Sequence, residues 1–262
     1  MSLVQQCYGW FHKQTQDALL SVLAAGPIPK HVAFVMDGNR RYARRKHAPV
    51  QQGHSEGFVA LRRMLEICLK LGIKCVTAYA FAIDNFKRSP EEVDALMNLA
   101  EDKLQELCQH GSLLHEYGVR LNVIGKKELL PERVQAAARK AEEMTRYNDR
   151  AILNLCMPYA SRDEITTAVE RTINDALNED RSPESISEKD IDDHLMTTAA
   201  GSPPLDILIR TSGVKRLSDF LLWQCCEDTQ IQFATTYWPD FGLLDFIPII
   251  LDFQRKVWSQ SR

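Results

Sequence analysis

Three short segments of the sequence follow an apolar run with polar side chains that suit the binding of phosphate groups. The first is the DGNRR sequence of residues 37–41. Gly38 would let backbone N–H groups approach a phosphate closely, and Arg40 and Arg41 could hold its oxygens through bidentate hydrogen bonds. A Mg²⁺ ion could bridge Asp37 to the same phosphates, because Mg²⁺ takes carboxylate and phosphate oxygens as ligands. This segment therefore predicts a diphosphate site; the alternative is a solvated turn with a basic cluster.

The second segment, residues 206–218, repeats this order of residue types. Its apolar run is followed by Arg210, two hydroxyl side chains, a glycine, Arg216 and Ser218. Two separate groups of arginines predict two phosphorylated ligands, because each group can hold one anionic head. The alternative is a turn whose arginines pair with carboxylates elsewhere.

The third segment, residues 79–88, combines aromatic rings with an amide and a guanidinium. Phe81 and Phe86 could form an apolar wall next to Asn85 and Arg88. Such a wall beside a few polar groups is typical of a ligand pocket. The alternative for Asn85 is an ordinary turn or helix-capping role, because a Ser-Pro helix start follows it in the sequence.

These segments must lie at strand ends for their side chains to meet. Short runs rich in β-branched residues alternate with helical stripes, which predicts an α/β fold with a central, mostly parallel, six-stranded sheet flanked by helices. In an open sheet of this kind, ligands bind at the carboxyl ends of the strands. The predicted strands are 31–36, 75–81, 119–124, 151–157, 206–210 and 230–234.

Amphipathic helices are predicted between the strands. Apolar residues recur at helical spacing over 58–68 and 93–107. Ser89 would cap the second of these helices, and Ser161 with Glu164 would form a capping box for a third. These features are structural and carry no prediction of chemistry.

The chain of 262 residues is predicted to fold as one catalytic domain over 27–262, preceded by a helical segment, 1–26. Residues 178–204, rich in Asn, Asp, Ser, Pro and Gly, predict an excursion from the regular elements. The seven cysteines are odd in number and lack CxxC spacing, which predicts reduced thiols. The helical segment could contact a membrane, the domain or a partner.

Charge and hydropathy exclude several classes of protein. The 32 Lys and Arg stand against 35 Asp and Glu, a net charge of -3, so no nucleic-acid partner is expected. Polar residues interrupt the first thirty residues, and no later stretch reaches about 18 consecutive apolar residues, so neither a secretory signal nor a membrane span is predicted. Any contact with a membrane is therefore expected to be peripheral.

Five motifs occur in order along the chain: HVAFVMDGNRRYA, GHSEGF, AYAFAIDNFKR with EEVDALM, DILIRTSGVKRLSDFLLWQ and YWPDF. With these motifs, the sequence resembles the cis-prenyltransferases, the family of undecaprenyl diphosphate synthase, and in particular its eukaryotic dehydrodolichyl diphosphate-forming members. The resemblance runs from about residue 27 to about residue 253. It implies an apolar tunnel between sheet and helices, and repeated cis condensation of isopentenyl diphosphate onto farnesyl diphosphate to give a long polyprenyl diphosphate for dolichol and protein glycosylation.

The resemblance also implies a role for each candidate residue. Asp37 would hold Mg²⁺ and assist departure of the allylic diphosphate, and Asn85 would orient or relay the proton lost from the isopentenyl carbon. The metal-binding glutamate of bacterial relatives falls near Thr229 here, so only Asp37 is assigned to the metal. Phe81 and Phe86 would shape the pocket. The allylic diphosphate would contact Gly38, Asn39, Arg40, Arg41, His54 and Arg88, and isopentenyl diphosphate would contact Arg210, Arg216 and Ser218.

A partner is implied by the resemblance as well. Active homodimers of the family carry an Arg-x-Gly motif near the C-terminus that reaches into the neighbouring subunit's site, and no such motif follows Phe253 here. The expectation is a heteromer in which a Nogo-B-receptor-like subunit supplies the motif. That subunit would hold the complex peripherally at the cytosolic face of the endoplasmic reticulum, or at a lipid droplet.

Three alternatives remain at this point. A noncatalytic subunit of the same fold would lack the DGN aspartate and the two-arginine segment, and both are present here. A monomeric or shorter-chain cis-prenyltransferase would share these motifs, because tunnel depth cannot be read from residue spacing. A phosphate-ester hydrolase with an aspartate at a strand end would release inorganic phosphate without isopentenyl diphosphate. The sequence leaves product length and the allylic starter open.

Overall fold

The computed structural model of this chain describes residues 3–107 and 113–260, with side chains described over 14–107 and 114–260. Six strands form one sheet in the order β3-β4-β2-β1-β5-β6, and every neighbouring pair is parallel. The predicted parallel α/β fold is confirmed, and each predicted strand is present within two residues of its predicted ends. The strands are β1 His31–Val35, β2 Cys75–Tyr79, β3 Val119–Ile124, β4 Ala151–Cys156, β5 Ile207–Arg210 and β6 Gln230–Phe233.

Ten α-helices are described, and both predicted amphipathic stripes fall within them, on α3 and α4. Short 3-10 turns connect several elements, among them Ile83–Lys87 before α4 and Trp238–Asp240 before the last helix. The helices are α1 Leu3–Ala24, α2 Asn39–Arg45, α3 Val50–Lys70, α4 Pro90–Leu107, α5 Leu113–Glu116, α6 Glu132–Thr145, α7 Ser161–Asn178, α8 Glu188–Asp193, α9 Met196–Ala199 and α10 Leu243–Gln260.

Apart from the edge strand β6, whose residues are partly exposed, the sheet is largely buried on both faces, as is typical of a parallel sheet. On one face, Phe34 of β1 packs with Trp238 and Phe246 in a core shared by α3, α4, α6 and α10. On the other face, Leu208 of β5 packs with Phe220 in a smaller core. The face that carries the larger core is therefore the one on which helices and sheet can enclose an apolar ligand.

One predicted helix cap is confirmed and the other is wrong. Ser89 Oγ accepts from the backbone N–H of Glu92 at 3.3 Å, at the start of α4. Ser161, in contrast, is the first residue of α7, and its Oγ accepts from Leu222 N–H at 2.9 Å. Glu164 is buried and accepts from Tyr159 and Met196 instead. The capping box fails because these buried groups bond to distant parts of the chain.

The N-terminal helix packs on the domain through its last turns. Leu20 and Leu23 are buried in the larger core, and Gln254 Nε2 donates to the Leu23 carbonyl at 2.7 Å. The division of the chain at residue 26 remains a prediction, and the side chains before Gln14 lie outside the described part. Within the described residues, no helix combines the length and apolar character that a membrane span requires.

The predicted excursion over 178–204 consists of short helices, α8 and α9, joined by turns. The five cysteines whose side chains are described are all free thiols, and Cys68, Cys75 and Cys156 are buried. This agrees with the reduced cysteines predicted from the sequence; Cys7 and Cys108 lie outside the described side chains.

Candidate functional site

The first two segments predicted to bind phosphate meet because β1 and β5 are neighbours. Val35 pairs with Arg210 in the register of the two strands, so Asp37 lies just beyond the carboxyl end of the sheet beside that arginine. Asp37 Oδ2 accepts from Arg210 Nη2 at 2.8 Å, and its Oδ1 accepts from Arg41 Nη2 at 3.2 Å. Two segments 173 residues apart in sequence therefore share one carboxylate.

Asp37 is held as a carboxylate. Burial opposes its ionisation, but the hydrogen bond and charge of Arg210, followed by the hydrogen bond of Ser212 and the charge of Arg41, outweigh burial and lower the pKa of Asp37 below its usual value. The group is only partly buried, with 27% of its side chain exposed. It can therefore present a negative charge to a metal ion or repel an unneutralised phosphate.

Arg210 is the buried centre of this site, with only 4% of its side chain exposed. Besides Asp37, it donates through Nη1 to the Arg216 carbonyl at 2.6 Å and to Ser218 Oγ at 2.7 Å. Arg216 Nε donates to the same Ser218 hydroxyl at 3.1 Å. The three residues predicted for isopentenyl diphosphate are thus brought together, and Arg210 fixes the loop that carries the other two.

The DGNRR segment is shaped by glycines. Gly38 has φ 108°, a left-handed conformation, and a Cβ there would lie 2.9 Å from the Tyr237 ring. α2 then begins at Asn39, whose Nδ2 donates to the Met36 carbonyl at 3.1 Å. Gly53 of α3 lets the start of α2 approach, because a Cβ on Gly53 would lie 2.4 Å from the Asn39 carbonyl oxygen.

Replacing Gly53 with alanine is therefore expected to destabilise the protein by about 1–3 kcal/mol, because the backbone of α2 must move to admit the methyl group. Urea denaturation measures the loss. Gly242→Ala is the matched control, since its nearest new contacts would be at 3.9 Å or more, and its free energy of unfolding should change by no more than about 0.5 kcal/mol. Equal stability of Gly53→Ala and wild type would contradict the close packing.

His54 of α3 and Arg88, just before α4, also line the cavity. Burial, and then the charge of Arg88, lower the pKa of His54 to about 4, so its ring is neutral at physiological pH. Its buried Nε2 has no hydrogen-bond partner among the described atoms. Glu92, which the sequence analysis did not single out, accepts from Arg88 Nη1 at 2.8 Å and lies 3.8 Å from Arg40 Nη1.

A cavity of about 700 Å³ extends from these charged groups between the sheet and helices α3 and α4. Its mouth holds the carboxylate and cations described above, including Arg40, Arg210 and Arg216, whereas its deeper walls are mainly apolar. This matches the predicted tunnel between sheet and helices. The apolar walls are contributed by Phe58, Leu61, Leu96, Met97, Ala100, Leu104, Leu107 and Leu155, among others.

The third segment contributes only part of what was predicted. Phe81 and Asn85 line the cavity, but Phe86 does not; it packs against Phe81 with ring centroids 4.9 Å apart. Asn85 Oδ1 accepts from the Ala82 backbone N–H at 3.1 Å, so the turn role of this asparagine is present alongside its place in the cavity wall.

Two residues of the first segment that were predicted to contact the allylic diphosphate, Gly38 and Arg41, do not line the cavity.

The sequence analysis gave no role to several charged or aromatic wall residues, among them Arg162, Asp219 and Trp238, although the last two lie within quoted motifs. Arg162 follows β4 by six residues, so the rule that ligands bind at the carboxyl ends of strands could have found it. Asp219 directly follows Ser218 in the second segment. Trp238 donates through Nε1 to the Gly57 carbonyl at 2.7 Å, a contact that nothing in the local sequence indicates.

The side chains at this site suit a metal ion only if the substrate and water supply most of its ligands. Among the described residues, no group of three or more His, Cys, Asp or Glu side chains could hold a metal by itself. A single carboxylate such as Asp37 suits Mg²⁺, which binds through one or two carboxylates when substrate phosphates and water supply the remaining ligands. The site is therefore compatible with Mg²⁺ that arrives with a diphosphate.

Comparison with known proteins gives consistent matches. The family model for undecaprenyl diphosphate synthase matches residues 35–259. A dehydrodolichyl diphosphate synthase complex subunit of Schizosaccharomyces pombe is 45% identical, over 94% of this chain and 92% of that protein. A geranylgeranyl-diphosphate-specific tritrans,polycis-undecaprenyl-diphosphate synthase of Pyrococcus furiosus is 44% identical, over 91% of this chain and 89% of that protein.

Solved structures agree with the fold. The crystal structure of lavandulyl diphosphate synthase from Lavandula x intermedia, in complex with dimethylallyl diphosphate, superposes with a TM-score of 0.79 at 33% identity. The match covers 86% of this chain and 95% of that chain. The family match begins at Val35, the last residue of β1, and includes helices α3 and α4, which line the cavity.

Proposed function

Because this chain belongs to the undecaprenyl diphosphate synthase family of prenyltransferases, we propose that it condenses isopentenyl diphosphate repeatedly onto an allylic diphosphate with cis stereochemistry. The product would be a long polyprenyl diphosphate that serves dolichol synthesis and protein glycosylation. The observation that carries this proposal is the shared Asp37–Arg210 centre, which joins two arginine-rich segments at the mouth of an apolar cavity. An enzyme for this reaction must bind two diphosphate head groups and one apolar chain.

The allylic diphosphate would occupy the side of the mouth formed by Arg40, His54 and Arg88. Negative charge develops on this diphosphate as it leaves, and fixed cations in a partly dry site stabilise that charge. Glu92 holds Arg88 and lies near Arg40, so the cations are preorganised before substrate binds. The neutral His54 can donate one hydrogen bond to phosphate without adding charge.

A Mg²⁺ ion would be held by Asp37 together with the diphosphate, where it would neutralise charge on the leaving group. Arg41 and Arg210 orient the carboxylate, because each bonds to a different oxygen of Asp37. Arg41 is then a residue that positions Asp37, rather than one that lines the cavity.

Isopentenyl diphosphate would bind on the side formed by Arg210, Arg216 and Ser218. Its double bond would attack the ionised allylic carbon, a new carbon–carbon bond would form, and loss of a proton would restore a double bond in the cis form. Asn85 is held by its hydrogen bond from Ala82, which suits orienting a substrate group. An amide is not a base, so the proton itself would pass to another acceptor.

The growing chain would fill the apolar cavity behind the two heads. Its walls from α3 and α4 exclude water from the tail and favour its burial. A shorter-chain product is the second candidate, supported by the likeness to lavandulyl diphosphate synthase, whose solved complex contains the short dimethylallyl diphosphate. Chromatography of the product separates the two.

We also infer a protein partner and a peripheral place at the endoplasmic reticulum or a lipid droplet. The S. pombe relative is named as a complex subunit. Exposed apolar side chains at the β6 edge of the sheet and on α10 support a partner, which we infer to be a Nogo-B-receptor-like subunit that supplies an Arg-x-Gly motif. These side chains are Ile231, Phe233, Leu244, Leu251 and Trp258.

The proposal is tested by incubating the chain with farnesyl and isopentenyl diphosphates, with and without Mg²⁺ and a co-expressed partner. The expected result is elongation that requires Mg²⁺ and rises at least about tenfold with the partner. A parallel reaction with geranylgeranyl diphosphate tests the starter, because the P. furiosus relative is specific for it by name. Release of inorganic phosphate without isopentenyl diphosphate would instead favour a hydrolase.

Replacing Arg216 with alanine tests whether the diphosphates of the two substrates bind to different residues. The KM for isopentenyl diphosphate should rise by about tenfold or more, whereas the KM for the allylic diphosphate should change by no more than about twofold. The reason is that Arg216 bonds to Ser218, which also bonds to Arg210, whereas Arg88 bonds to Glu92 near Arg40. Equal increases in both KM values would contradict the assignment. Lys126→Ala, which removes an ion pair with Asp163 on the surface, is the control.

A further inference from the structure

The loop after β5 has an unusual backbone. Ser212, Ser218, Asp219 and Leu221 all have positive φ, at 77°, 54°, 60° and 47° respectively. Non-glycine residues avoid this left-handed region because Cβ approaches the carbonyl oxygen. Such a run persists only where surrounding contacts hold it, and strained backbone of this kind clusters at functional sites. The contacts that hold this loop are therefore of interest.

The first turn of α7 makes most of these contacts. Ser161 N–H donates to the Asp219 carbonyl at 2.8 Å, and Arg162 N–H donates to Asp219 Oδ1 at 2.9 Å. Leu222 N–H donates in turn to Ser161 Oγ at 2.9 Å. α7 has no capping side chain from the residue before it, Ala160. Asp219 therefore caps α7 from a distant part of the chain and places its negative charge at the helix N-terminus.

The second oxygen of the Asp219 carboxylate is used as well. Arg162 Nε donates to Asp219 Oδ2 at 3.0 Å, so one arginine contacts the carboxylate through both its backbone and its side chain. Both residues line the cavity mouth. The pair fixes the direction in which the loop leaves α7, because it restrains Asp219 from two sides.

We call the contacts between Asp219 and the first turn of α7 the clamp. Ser218, the residue before Asp219, connects the clamp to the candidate site. Ser218 Oγ accepts from Arg210 and from Arg216, and the Ser218 carbonyl accepts from the Tyr79 hydroxyl at 3.3 Å. Phe220, on the other side of Asp219, is fully buried and stacks on Tyr79 with ring centroids 4.4 Å apart. A change in the backbone at Asp219 would therefore displace Ser218 from both arginines.

The geometry points to Asp219 as a positioning residue for the isopentenyl side of the site, an inference that rests on the proposed function. Asp219 acts through α7: it locks the left-handed loop so that Ser218 and Arg216 face the cavity together with Arg210. Arg40, His54 and Arg88 are carried by α2, α3 and the turn before α4, and none of these elements contacts Asp219 in the described hydrogen bonds. Loss of the clamp should therefore affect one substrate and not the other.

Three substitutions separate the clamp from the backbone conformation. Asp219→Ala removes both carboxylate contacts, and we expect the KM for isopentenyl diphosphate to rise about tenfold with the allylic KM changed by no more than about twofold. Asp219→Gly accepts positive φ without strain but also lacks the carboxylate, so it should behave like the alanine variant. Asp219→Asn keeps an oxygen for Arg162 N–H and tolerates the left-handed region, so it should restore the KM to within about threefold of wild type.

Asp180→Ala provides the matched control, because Asp180 is an exposed aspartate that also has positive φ, 52°, in the loop after α7. It should leave both KM values unchanged. All assays use the preparation, with or without partner, in which the wild type is active. An unchanged isopentenyl KM in Asp219→Ala, or a normal KM in Asp219→Gly, would overturn the inference, and so would equal increases for both substrates. No elongation by the wild type would instead overturn the proposed function.

Discussion

Replacing Asp37 with asparagine is expected to lower the turnover number about a thousandfold, equivalent to about 4 kcal/mol of activation barrier. The substitution keeps the shape of the side chain but removes the negative charge that would share Mg²⁺ with the diphosphate. It also turns an NH₂ group toward one of the two guanidiniums that now bond to the carboxylate, Arg41 or Arg210. Steady-state rates with saturating substrates and Mg²⁺ measure the effect.

A matched control exists for this substitution. Asp240 also forms an ion pair with an arginine, Arg45, and is partly exposed, but it does not line the cavity. Asp240→Asn should keep turnover within about twofold of wild type, because exposed ion pairs contribute little. Circular dichroism should show that both variants remain folded. An Asp37→Asn enzyme with more than about a tenth of wild-type turnover would remove Asp37 from the proposed metal role.

Replacing Arg210 with alanine is expected to have the second largest effect, because this buried guanidinium serves both sides of the site. Turnover should fall about a hundredfold. Unfolding in urea should become easier by about 3 kcal/mol, because Asp37 and Ser218 each lose a buried partner. Arg210→Lys keeps a charge but cannot reproduce the planar fork that reaches Asp37, Arg216 and Ser218 together, so it should remain at least about tenfold impaired.

The pH dependence of activity gives an independent measurement on Arg210. Arg210 provides the largest of the favourable influences that lower the pKa of Asp37. Without it the pKa should rise, so the acid limb of the pH–rate profile should move to higher pH than in wild type. The pKa of Asp37 is lower in the folded than in the unfolded protein. Its ionisation therefore stabilises the fold at pH values above the unfolded-state pKa, and this stabilisation is lost as the pH falls through the folded-state pKa. Arg210→Ala should reduce this pH-dependent contribution to stability.

Arg120→Ala provides the control for the loss of an arginine that is half-buried away from the cavity. Arg120 Nη2 donates to the Ala200 carbonyl at 2.8 Å, and the side chain does not line the cavity. Its loss should lower stability while leaving turnover per folded molecule within about twofold. If Arg210→Ala shows the same pattern as Arg120→Ala, with no effect on turnover, Arg210 would be a structural residue alone.

Much of the fold could be predicted from local patterns. Strand runs such as His31–Val35 and Val119–Ile124 are apolar or alternating and are bounded by turn residues, and they formed strands close to the predicted bounds. The Ser89 cap was also predictable, because a helix cap depends on residues three apart. The Ser161–Glu164 box was not, because burial gave Ser161 and Glu164 partners far away in sequence.

The sequence by itself determined which residue types follow each strand: an aspartate with arginines after β1, and arginines with serine after β5. It could do so because a motif of five to thirteen residues is a local property of the chain. Only the tertiary structure decided that Asp37 and Arg210 share a hydrogen bond, that Phe86 packs behind the wall, and that Asp219 caps α7. These contacts depend on strand order and on helix placement, which arise from packing over the whole sheet rather than from any local pattern.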